Sequence, residues 1–219
     1  MSSRKFTAFA ASLFLVVASA AFAQAPFKII NPPQPTEPDK VEVIEFFWYG
    51  CPHCYHLEPV LNAWLKGIPK DVVFKRVPAS QGGWTNLAQM YYTVEAMGLL
   101  DQLHTKIFEA IHRDSINLGN KKLRDEWLAK QGVDVAKYNE VEKSFSVMTK
   151  LQRSKQLGEA YKIDSVPQLI VNGKYLVNAE SAGGNERMIP AVDAAIALAR
   201  QEKKLAAAPA TTPAGTAKR

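Results

Sequence analysis

Cys51 and Cys54 are the two cysteines of the chain, and they lie two residues apart in the stretch FFWYGCPHCYHLEP, residues 46–59. A pair at this spacing can form a structural clip, supply half of a metal site, or act as a redox centre that opens and closes. An apolar run, VEVIEFF at residues 41–47, precedes the pair and is typical of a buried strand. Apolar residues at helical spacing follow from about residue 55 to 67.

A position between a strand and a helix would give the two sulfurs different properties. At or just before the first helical turn, Cys51 would face unpaired backbone N–H groups and the positive end of the helix dipole, which lower the pKa of a thiol. Cys54 follows one turn later on the same face, so the two sulfurs can close a small, easily reduced ring. His53 would favour the Cys51 thiolate further, and Pro52 suits the first turn because its missing N–H is not needed there.

Other uses of the two cysteines fit the sequence less well. A c-type haem site needs His directly after the second Cys, where this chain has Tyr55. A structural zinc site needs four ligands, and His104 and His112 lie about fifty residues away in a helical region, so we expect no metal. So small a disulfide ring would stabilise little, and a chain of this length can bury a core without it. We therefore expect a redox pair with no bound cofactor, because the disulfide itself carries two electrons.

The first 23 residues have the layout of a secretory signal peptide. Arg4 and Lys5 precede an apolar run over residues 6–22, and AFA at residues 21–23 is an A-x-A cleavage pattern. Cleavage after Ala23 would leave 196 of the 219 residues, exported to a periplasm, whereas the alternative is an uncleaved membrane anchor. Loss of Arg4 and Lys5 would lower the formal charge from +6 to +4. The remaining Lys and Arg are scattered among acids, so we expect no nucleic-acid partner.

The rest of the sequence predicts one sheet that is interrupted by helices. A second strand is predicted at residues 71–77, and strand patterns return at QLIVN and YLV, which Asn172-Gly173-Lys174 joins as a hairpin turn. Gly98, Gly119-Asn120 and Gly132 punctuate the region between them. The helices predicted there lie at about residues 84–97, 100–113, 121–130, 134–143 and 146–162.

A last amphipathic helix is predicted at about residues 185–205. In the predicted domain organisation, residues 24–80 and 163–203 form one α/β domain, with 24–40 as a proline-rich extension, and residues 81–162 form an inserted helical domain. The Ala/Pro/Thr-rich residues 204–219 are predicted to be a disordered tail.

Three features together resemble the DsbA family of the thioredoxin superfamily. CPHC follows an apolar strand, Pro59 lies five residues after Cys54, and SVPQLIVNGKY occurs far downstream at residues 165–175. The resemblance covers about residues 41–200 and includes the helical insertion. It implies an α/β thioredoxin fold with an inserted helical domain, and a periplasmic thiol–disulfide oxidoreductase that introduces disulfide bonds into exported proteins.

The resemblance also implies roles for individual residues. Cys51 would be the exposed sulfur that forms mixed disulfides, and Cys54 would be its buried partner. Pro167 would follow a cis peptide bond and face the disulfide. The backbone of Val166 would then pair with an extended substrate peptide, as the edge of a sheet does.

Glu45 lies inside the predicted buried strand, and a buried carboxylate needs a partner. Lys75, in the neighbouring predicted strand, is the expected partner, and DsbA proteins are similar in having an acid–base pair beneath the disulfide. We expect this pair to tune the cysteines or to relay protons, whereas the alternative is a solvated Glu45 near a strand end. Trp48 and Tyr49, which precede the motif, are expected to line a substrate surface.

The family resemblance implies reduced exported proteins as substrates and a DsbB-type membrane quinone reductase as the reoxidant of a monomeric enzyme. The alternatives are a disulfide reductase or isomerase, a peptide-binding chaperone on the same fold, or an oxidase with few clients. DsbC-type isomerases carry an N-terminal dimerisation domain, and the about seventeen residues between the predicted cleavage site and the first strand are too few for one. A chaperone would work without both cysteines.

Overall fold

The computed structural model describes residues 25–207, with side chains described to residue 204. The predicted signal peptide and most of the predicted tail lie outside these residues. Five strands form one sheet, and their bounds are β1 (Lys28–Ile29), β2 (Val41–Phe47), β3 (Val72–Pro78), β4 (Gln168–Val171) and β5 (Tyr175–Val177).

The strands lie in the order β1-β5-β4-β2-β3, with β2 and β3 parallel and the other neighbours antiparallel. All seven residues of β2 are buried, which confirms the predicted buried strand. The register of the parallel pair sets Ile44 opposite Lys75 and Glu45 opposite Arg76. The sequence does not predict β1, because two residues are too few to carry a periodic pattern.

The described residues contain eight α-helices and two short 3₁₀ turns, at residues 82–84 and 185–187. The helices are α1 (Pro52–Leu65), α2 (Thr85–Ala96), α3 (Leu100–His112), α4 (Lys121–Lys130), α5 (Val135–Val141), α6 (Phe145–Ala160), α7 (Ala179–Ala182) and α8 (Met188–Ala207). Helices α2 to α6 lie between β3 and β4, so the α/β thioredoxin fold with a helical insertion is confirmed. The limits proposed for the two domains stay a prediction. None of the described helices is long and apolar enough to cross a membrane.

Alternate residues of β2 face opposite sides of the sheet. On one face, Val43, Glu45 and Phe47 extend from one apolar cluster of the core to another. Val43 belongs to an apolar cluster with residues of α1 and α8. Phe47 belongs to a second cluster, with Tyr49, Cys54 and residues of the helical insertion. Glu45 lies between Val43 and Phe47 on the same face of the strand, so the one acid of that face lies where the two cores meet.

The sequence predicts the β4–β5 turn correctly but not the C-terminal end of α8. The predicted hairpin turn is confirmed, because the Lys174 N–H donates to the Val171 carbonyl oxygen at 3.1 Å. The two central residues, Asn172 (φ 50°) and Gly173 (φ 67°), have the positive φ that a type I′ turn requires. The predicted start of the tail at residue 204 is wrong, because α8 continues to Ala207. Residues 203–207 are Lys, Leu and Ala, which favour a helix, and the next residue that cannot continue one is Pro209.

Candidate active site

The segment between β2 and α1 presents Cys51. Its backbone N–H donates to the carbonyl oxygen of Trp48 at 2.9 Å, which turns the chain after the strand ends. Cys51 is the N-cap residue of α1 with an extended backbone (φ −91°, ψ 118°), and Pro52 occupies the first helical turn. The predicted position of the pair at a helix N-terminus is therefore confirmed, with Cys54 inside the helix.

The two sulfurs have opposite environments. Both cysteines are free thiols, and Cys51 is 8% exposed whereas Cys54 is completely buried. A hydrogen bond from the Cys54 thiol lowers the pKa of Cys51 to about 6 against the effect of burial, and the backbone N–H groups of Cys54 and His53 lower it further. Burial raises the pKa of Cys54, and its hydrogen bond to Cys51 raises it again. At neutral pH the reduced pair is a Cys51 thiolate beside a Cys54 thiol.

The loop before β4 completes the surroundings of Cys51. The Val166–Pro167 peptide bond is cis, as the resemblance implies. The carbonyl oxygen of Val166 lies 3.3 Å from the Cys51 sulfur, and it can accept a hydrogen bond from this group only while Cys51 is protonated. The residue before the cis-proline therefore lies beside the more exposed sulfur, although 115 positions separate Val166 from Cys51 in sequence.

The expected pair of Glu45 with Lys75 is wrong. Glu45 accepts a hydrogen bond from Arg76 Nε at 3.1 Å, whereas Lys75 Nζ lies 2.5 Å from a carboxylate oxygen of Glu42. Successive residues of a strand point to opposite faces, so Arg76, which is opposite Glu45 in the register, shares its face and Lys75 does not. Glu45 is completely buried, which excludes the solvated alternative.

Glu45 is a buried acid that keeps its proton. Burial raises its pKa to about 8, although the Arg76 charge opposes this, and the negative charge of Glu58 raises the pKa further. Its second oxygen, Oε1, is buried and has no hydrogen-bond partner among the described residues. A charge on Glu45 raises the pKa of Cys54 in turn, so the carboxyl group and the buried thiol influence one another.

Glu58 on α1 connects Arg76 to the helical insertion. Its carboxylate accepts from Arg76 Nη2 at 3.3 Å, from Asn62 Nδ2 at 2.9 Å, and lies 3.2 Å from His104 Nε2. Burial raises the pKa of Glu58, but the hydrogen bond from His104 and the charges around it outweigh burial and hold that pKa below its usual value. An ionised Glu58 and a protonated Glu45 therefore share one guanidinium group.

His104 and His112 on α3 also contact the segment before Cys51. His104 Nδ1 lies 2.7 Å from the Tyr49 hydroxyl oxygen, and His112 Nε2 lies 2.8 Å from the Tyr49 carbonyl oxygen. From the sequence both histidines are only distant candidates for a metal site, and their contacts with Tyr49 are not predicted. Their spacing with Phe108, at i, i+4 and i+8, indicates one helix face, but no pattern in the sequence shows what that face packs against.

The two aromatic residues before the motif have different positions. The expectation that Tyr49 lines a substrate surface is wrong, because only 1% of this residue is exposed. Trp48 is half-buried and stacks on Trp84, with ring centroids 5.4 Å apart. A Cβ atom at Gly50 would lie 2.4 Å from the Trp48 ring, so Gly50 allows the indole to lie across the backbone next to Cys51.

His53 is exposed beside Cys51, and its carbonyl oxygen accepts a hydrogen bond from Asn185 Nδ2 at 3.2 Å. This contact ties the first turn of α1 to the turn before α8. Within residues 25–207, no group of three or more His, Cys, Asp or Glu side chains is arranged to hold a metal ion.

Comparisons with known proteins agree with this geometry. Residues 69–189 match the model of the DSBA-like thioredoxin domain. The chain is 45% identical over 180 residues to the thiol:disulfide interchange protein DsbA of Bordetella parapertussis, which covers 81% of this chain and 86% of the relative. It is also 45% identical over 158 residues to the protein of that name from Azotobacter vinelandii, covering 72% and 74%. The crystal structure of Pseudomonas aeruginosa DsbA superposes with a TM-score of 0.77 at 38% identity, covering 82% of this chain and 95% of that one. The chain therefore belongs to the DsbA family of thiol–disulfide oxidoreductases.

Proposed function

We propose that Cys51 and Cys54 are the redox centre with which this DsbA-family oxidoreductase introduces disulfide bonds into exported proteins. The observation that carries the proposal is the contrast between the sulfurs, since the pKa of Cys51 falls to about 6 whereas burial raises that of Cys54. A thiol with a low pKa is a good leaving group in disulfide exchange. Cys51 therefore leaves readily when the mixed disulfide is resolved, and, as the more exposed of the two sulfurs, it is the one that a substrate thiolate can reach.

The proposed reaction begins with the oxidised Cys51–Cys54 disulfide. A substrate thiolate attacks the Cys51 sulfur, a mixed disulfide forms, and Cys54 leaves with the electron pair of the broken bond. A second substrate thiolate then attacks the substrate sulfur of the mixed disulfide, and Cys51 leaves as a thiolate. The substrate has lost two electrons and two protons and gained a disulfide. The enzyme has gained the two electrons and one proton, as a Cys51 thiolate and a Cys54 thiol, and the other proton goes to solvent.

Stabilisation of the Cys51 thiolate gives the reaction its direction. The groups that lower the Cys51 pKa act on the reduced enzyme, because the disulfide carries no charge for them to stabilise. A more stable reduced form makes the oxidised form a stronger oxidant. The site is therefore suited to giving away its disulfide and less suited to reducing the disulfides of others.

Glu45 is proposed to supply the proton that the leaving Cys54 sulfur needs. The Cys54 sulfur is buried and has a raised pKa, so a free thiolate there is costly. Glu45 is protonated at neutral pH because burial raises its pKa to about 8. Arg76 then stabilises the Glu45 carboxylate that remains, through the hydrogen bond at 3.1 Å. The sequence suggested Lys75, in the neighbouring predicted strand, as the partner of Glu45, and the register supports Arg76 in that role.

Replacement of Glu45 by Gln tests this role. The rate at which a small thiol reduces the oxidised enzyme should fall at least about tenfold at neutral pH, and the inflection near pH 8 should disappear. Glu42→Gln is the matched control, because Glu42 is a buried acid of the same strand that faces the other side of the sheet and pairs with Lys75. Equal rates and equal pH profiles in Glu45→Gln and the wild type would refute the proton-donor role.

The remaining parts of the proposal concern partners and location. An extended peptide next to Cys51 would pair with the backbone of Val166, whose carbonyl oxygen already lies 3.3 Å from the sulfur. Reduced exported proteins would be the substrates, a DsbB-type membrane quinone reductase would restore the disulfide, and the enzyme would act as a monomer. Cleavage of the predicted signal peptide after Ala23 would place it in the periplasm.

The deciding experiment is the equilibrium of the mature protein with reduced and oxidised glutathione, followed by tryptophan fluorescence. A reduction potential well above that of the glutathione pool, with oxidation of a dithiol peptide that Cys51→Ser abolishes, is the expected result. A potential near that of thioredoxin would instead favour a reductase at the same site and overturn the oxidase. Peptide binding and refolding that survive Cys51→Ser, without peptide oxidation in the wild type, would favour a chaperone.

A further inference from the structure

Helix α3 of the insertion holds Tyr49 at two points, and the proposed reaction does not use this contact. Tyr49 lies two residues before Cys51, and its hydroxyl and carbonyl oxygens lie 2.7 Å from His104 and 2.8 Å from His112. The two histidines are eight residues apart, or about 12 Å along a helix. Phe108, midway between them, packs edge-to-face on the Tyr49 ring with centroids 4.9 Å apart. One face of α3 therefore fixes both the side chain and the backbone of this residue.

The protonation states of Tyr49 and His104 determine which atom donates in each of these hydrogen bonds. Burial raises the pKa of Tyr49, so the hydroxyl keeps its proton and donates to His104 Nδ1. Burial also lowers the pKa of His104 against the pull of Glu58, so the ring is neutral and carries its proton on Nε2. That proton is donated to Glu58 Oε1 at 3.2 Å. His112 Nε2 must carry a proton as well, because a carbonyl oxygen can only accept.

Each histidine contacts one residue before Cys51 and one residue after Cys54. His104 joins Tyr49, two residues before Cys51, to Glu58, four residues after Cys54. His112 joins the Tyr49 backbone to the ring of Tyr55, on which it stacks with centroids 5.0 Å apart and planes inclined by 15°. The turn between these contacts contains the Cys51 N–H to Trp48 hydrogen bond that precedes α1.

We propose that His104 and His112 are positioning residues that hold Cys51 against the N-terminus of α1 and thereby set the stability of its thiolate. The inference rests on the proposed function, since it concerns the same redox pair. Without the two anchors the turn at residues 48–50 can relax, and the sulfur can move away from the N–H groups that stabilise its charge. Because interactions at a helix N-terminus fade within one turn, we expect a roughly threefold to tenfold effect on the thiolate equilibrium.

Three substitutions test the proposal. Tyr49→Phe removes the hydroxyl and keeps the buried ring, and His112→Leu removes the donor to the Tyr49 carbonyl. Both should raise the pKa of Cys51, followed by the ultraviolet absorbance of the thiolate, and shift the glutathione equilibrium toward a weaker oxidant. His112→Gln should restore both values at least in part, because the Gln amide can place an N–H donor near the position of Nε2.

The matched control is Tyr175→Phe. Tyr175 is also a buried tyrosine with a hydrogen-bonded hydroxyl, but it lies on β5, and its partner is Glu202 at 2.7 Å. This variant should lose stability without any change in the Cys51 pKa. If Tyr49→Phe and His112→Leu lower the melting temperature but leave the Cys51 pKa and the glutathione equilibrium equal to those of the control, the histidines only pack the domain and the proposal fails.

Two further outcomes are also decisive. If His112→Leu does not fold, the comparison of Tyr49→Phe with Tyr175→Phe decides alone, because both keep the aromatic ring. A wild-type protein that does not oxidise a dithiol peptide would overturn the proposed function, yet the thiolate titration of the variants would still test the positioning role. A failure of one proposal is thus distinguishable from a failure of the other.

Discussion

At the scale of single residues, Cys51 and Cys54 differ in their affinity for a proton, and this difference affects stability as well as reactivity. In the reduced protein the pKa of Cys51 falls from an ordinary value of 9.0 to about 6. A group whose pKa is lower in the folded state stabilises that state fully above the unfolded pKa. This stabilisation is lost as the pH falls through the folded value. The oxidised protein has no thiol and should show no such dependence.

The reduced form should therefore become more stable relative to the oxidised form between about pH 6 and pH 9. We expect a gain on the order of 2 kcal/mol, because solvent screens the partly exposed sulfur and reduces the full effect of the shift. Urea unfolding of both forms at several pH values measures it, and the oxidised form serves as the reference because it has no thiol. A difference in free energy of unfolding that is constant over this range would contradict the low Cys51 pKa.

At the scale of elements, the helices and strands could be predicted closely because their patterns are local. The strand at residues 41–47 has the predicted bounds, and the five helices of the insertion end within two residues of their predicted limits. Contacts between side chains of different elements were predicted less accurately than the elements themselves. Lys75 and Arg76 are adjacent cations, and only the register of β2 against β3 shows which of them shares a face with Glu45.

Among the active-site residues, those in local sequence motifs could be predicted, and those with partners distant in sequence could not. The cysteines, Pro52 and the Val166–Pro167 segment were predictable because they form compact motifs that resemble a family. His104 and His112 were not, because their partners lie 55 and 63 positions away in sequence. A helix face shows its partner only after the tertiary structure has formed, and neither histidine belongs to a motif.

Substitution of Gly173 in the β4–β5 hairpin tests whether the N-terminal extension packs on this turn. Gly173 has a φ of 67°, and a Cβ atom there would lie 2.2 Å from the carbonyl oxygen of Gln34 in the N-terminal extension. Gln34 N–H also donates to the Gly173 carbonyl at 2.9 Å, so the backbone cannot shift without losing this bond. Gly173→Ala should therefore cost at least about 1–3 kcal/mol of stability in urea unfolding.

Gly83→Ala is the control for this substitution. Gly83 has no heavy atom within 4 Å of an added Cβ, and its φ is not in the left-handed region. This variant should differ from the wild type by less than about 0.5 kcal/mol. Equal stability of the two alanine variants would show that the extension does not pack on the hairpin.

At the scale of the whole molecule, the insertion and the sheet both contribute residues to one of the apolar clusters. The cluster that contains Phe47 and Cys54 continues into the insertion, and the chain of polar contacts from Glu45 through Arg76 and Glu58 ends at His104 on α3. Because these contacts are buried, separation of the two parts would expose charged and apolar groups together. The two parts should therefore unfold in one transition.

Tryptophans at two places can report this transition. Trp64 lies on α1, where its indole N–H donates to Asp193 at 2.9 Å, and Trp127 is buried on α4. Variants that keep only one of the four tryptophans should give unfolding midpoints that agree with each other and with circular dichroism. Two separate midpoints would show that the insertion unfolds independently of the sheet.

The strand order has a consequence for the proposed action on exported proteins that are not yet folded. β3 is an edge strand of the sheet, and the unpaired backbone N–H and C=O groups of an edge strand can pair with strands of other molecules. The cleft beside β3 is lined by charged side chains, namely the cations Lys75, Arg76, Lys150 and Arg153 and the acid Glu95, and the opposite edge is a strand of two residues. Charged side chains and a short edge strand both oppose strand addition. The sheet should therefore be a poor template for the aggregation of extended chains.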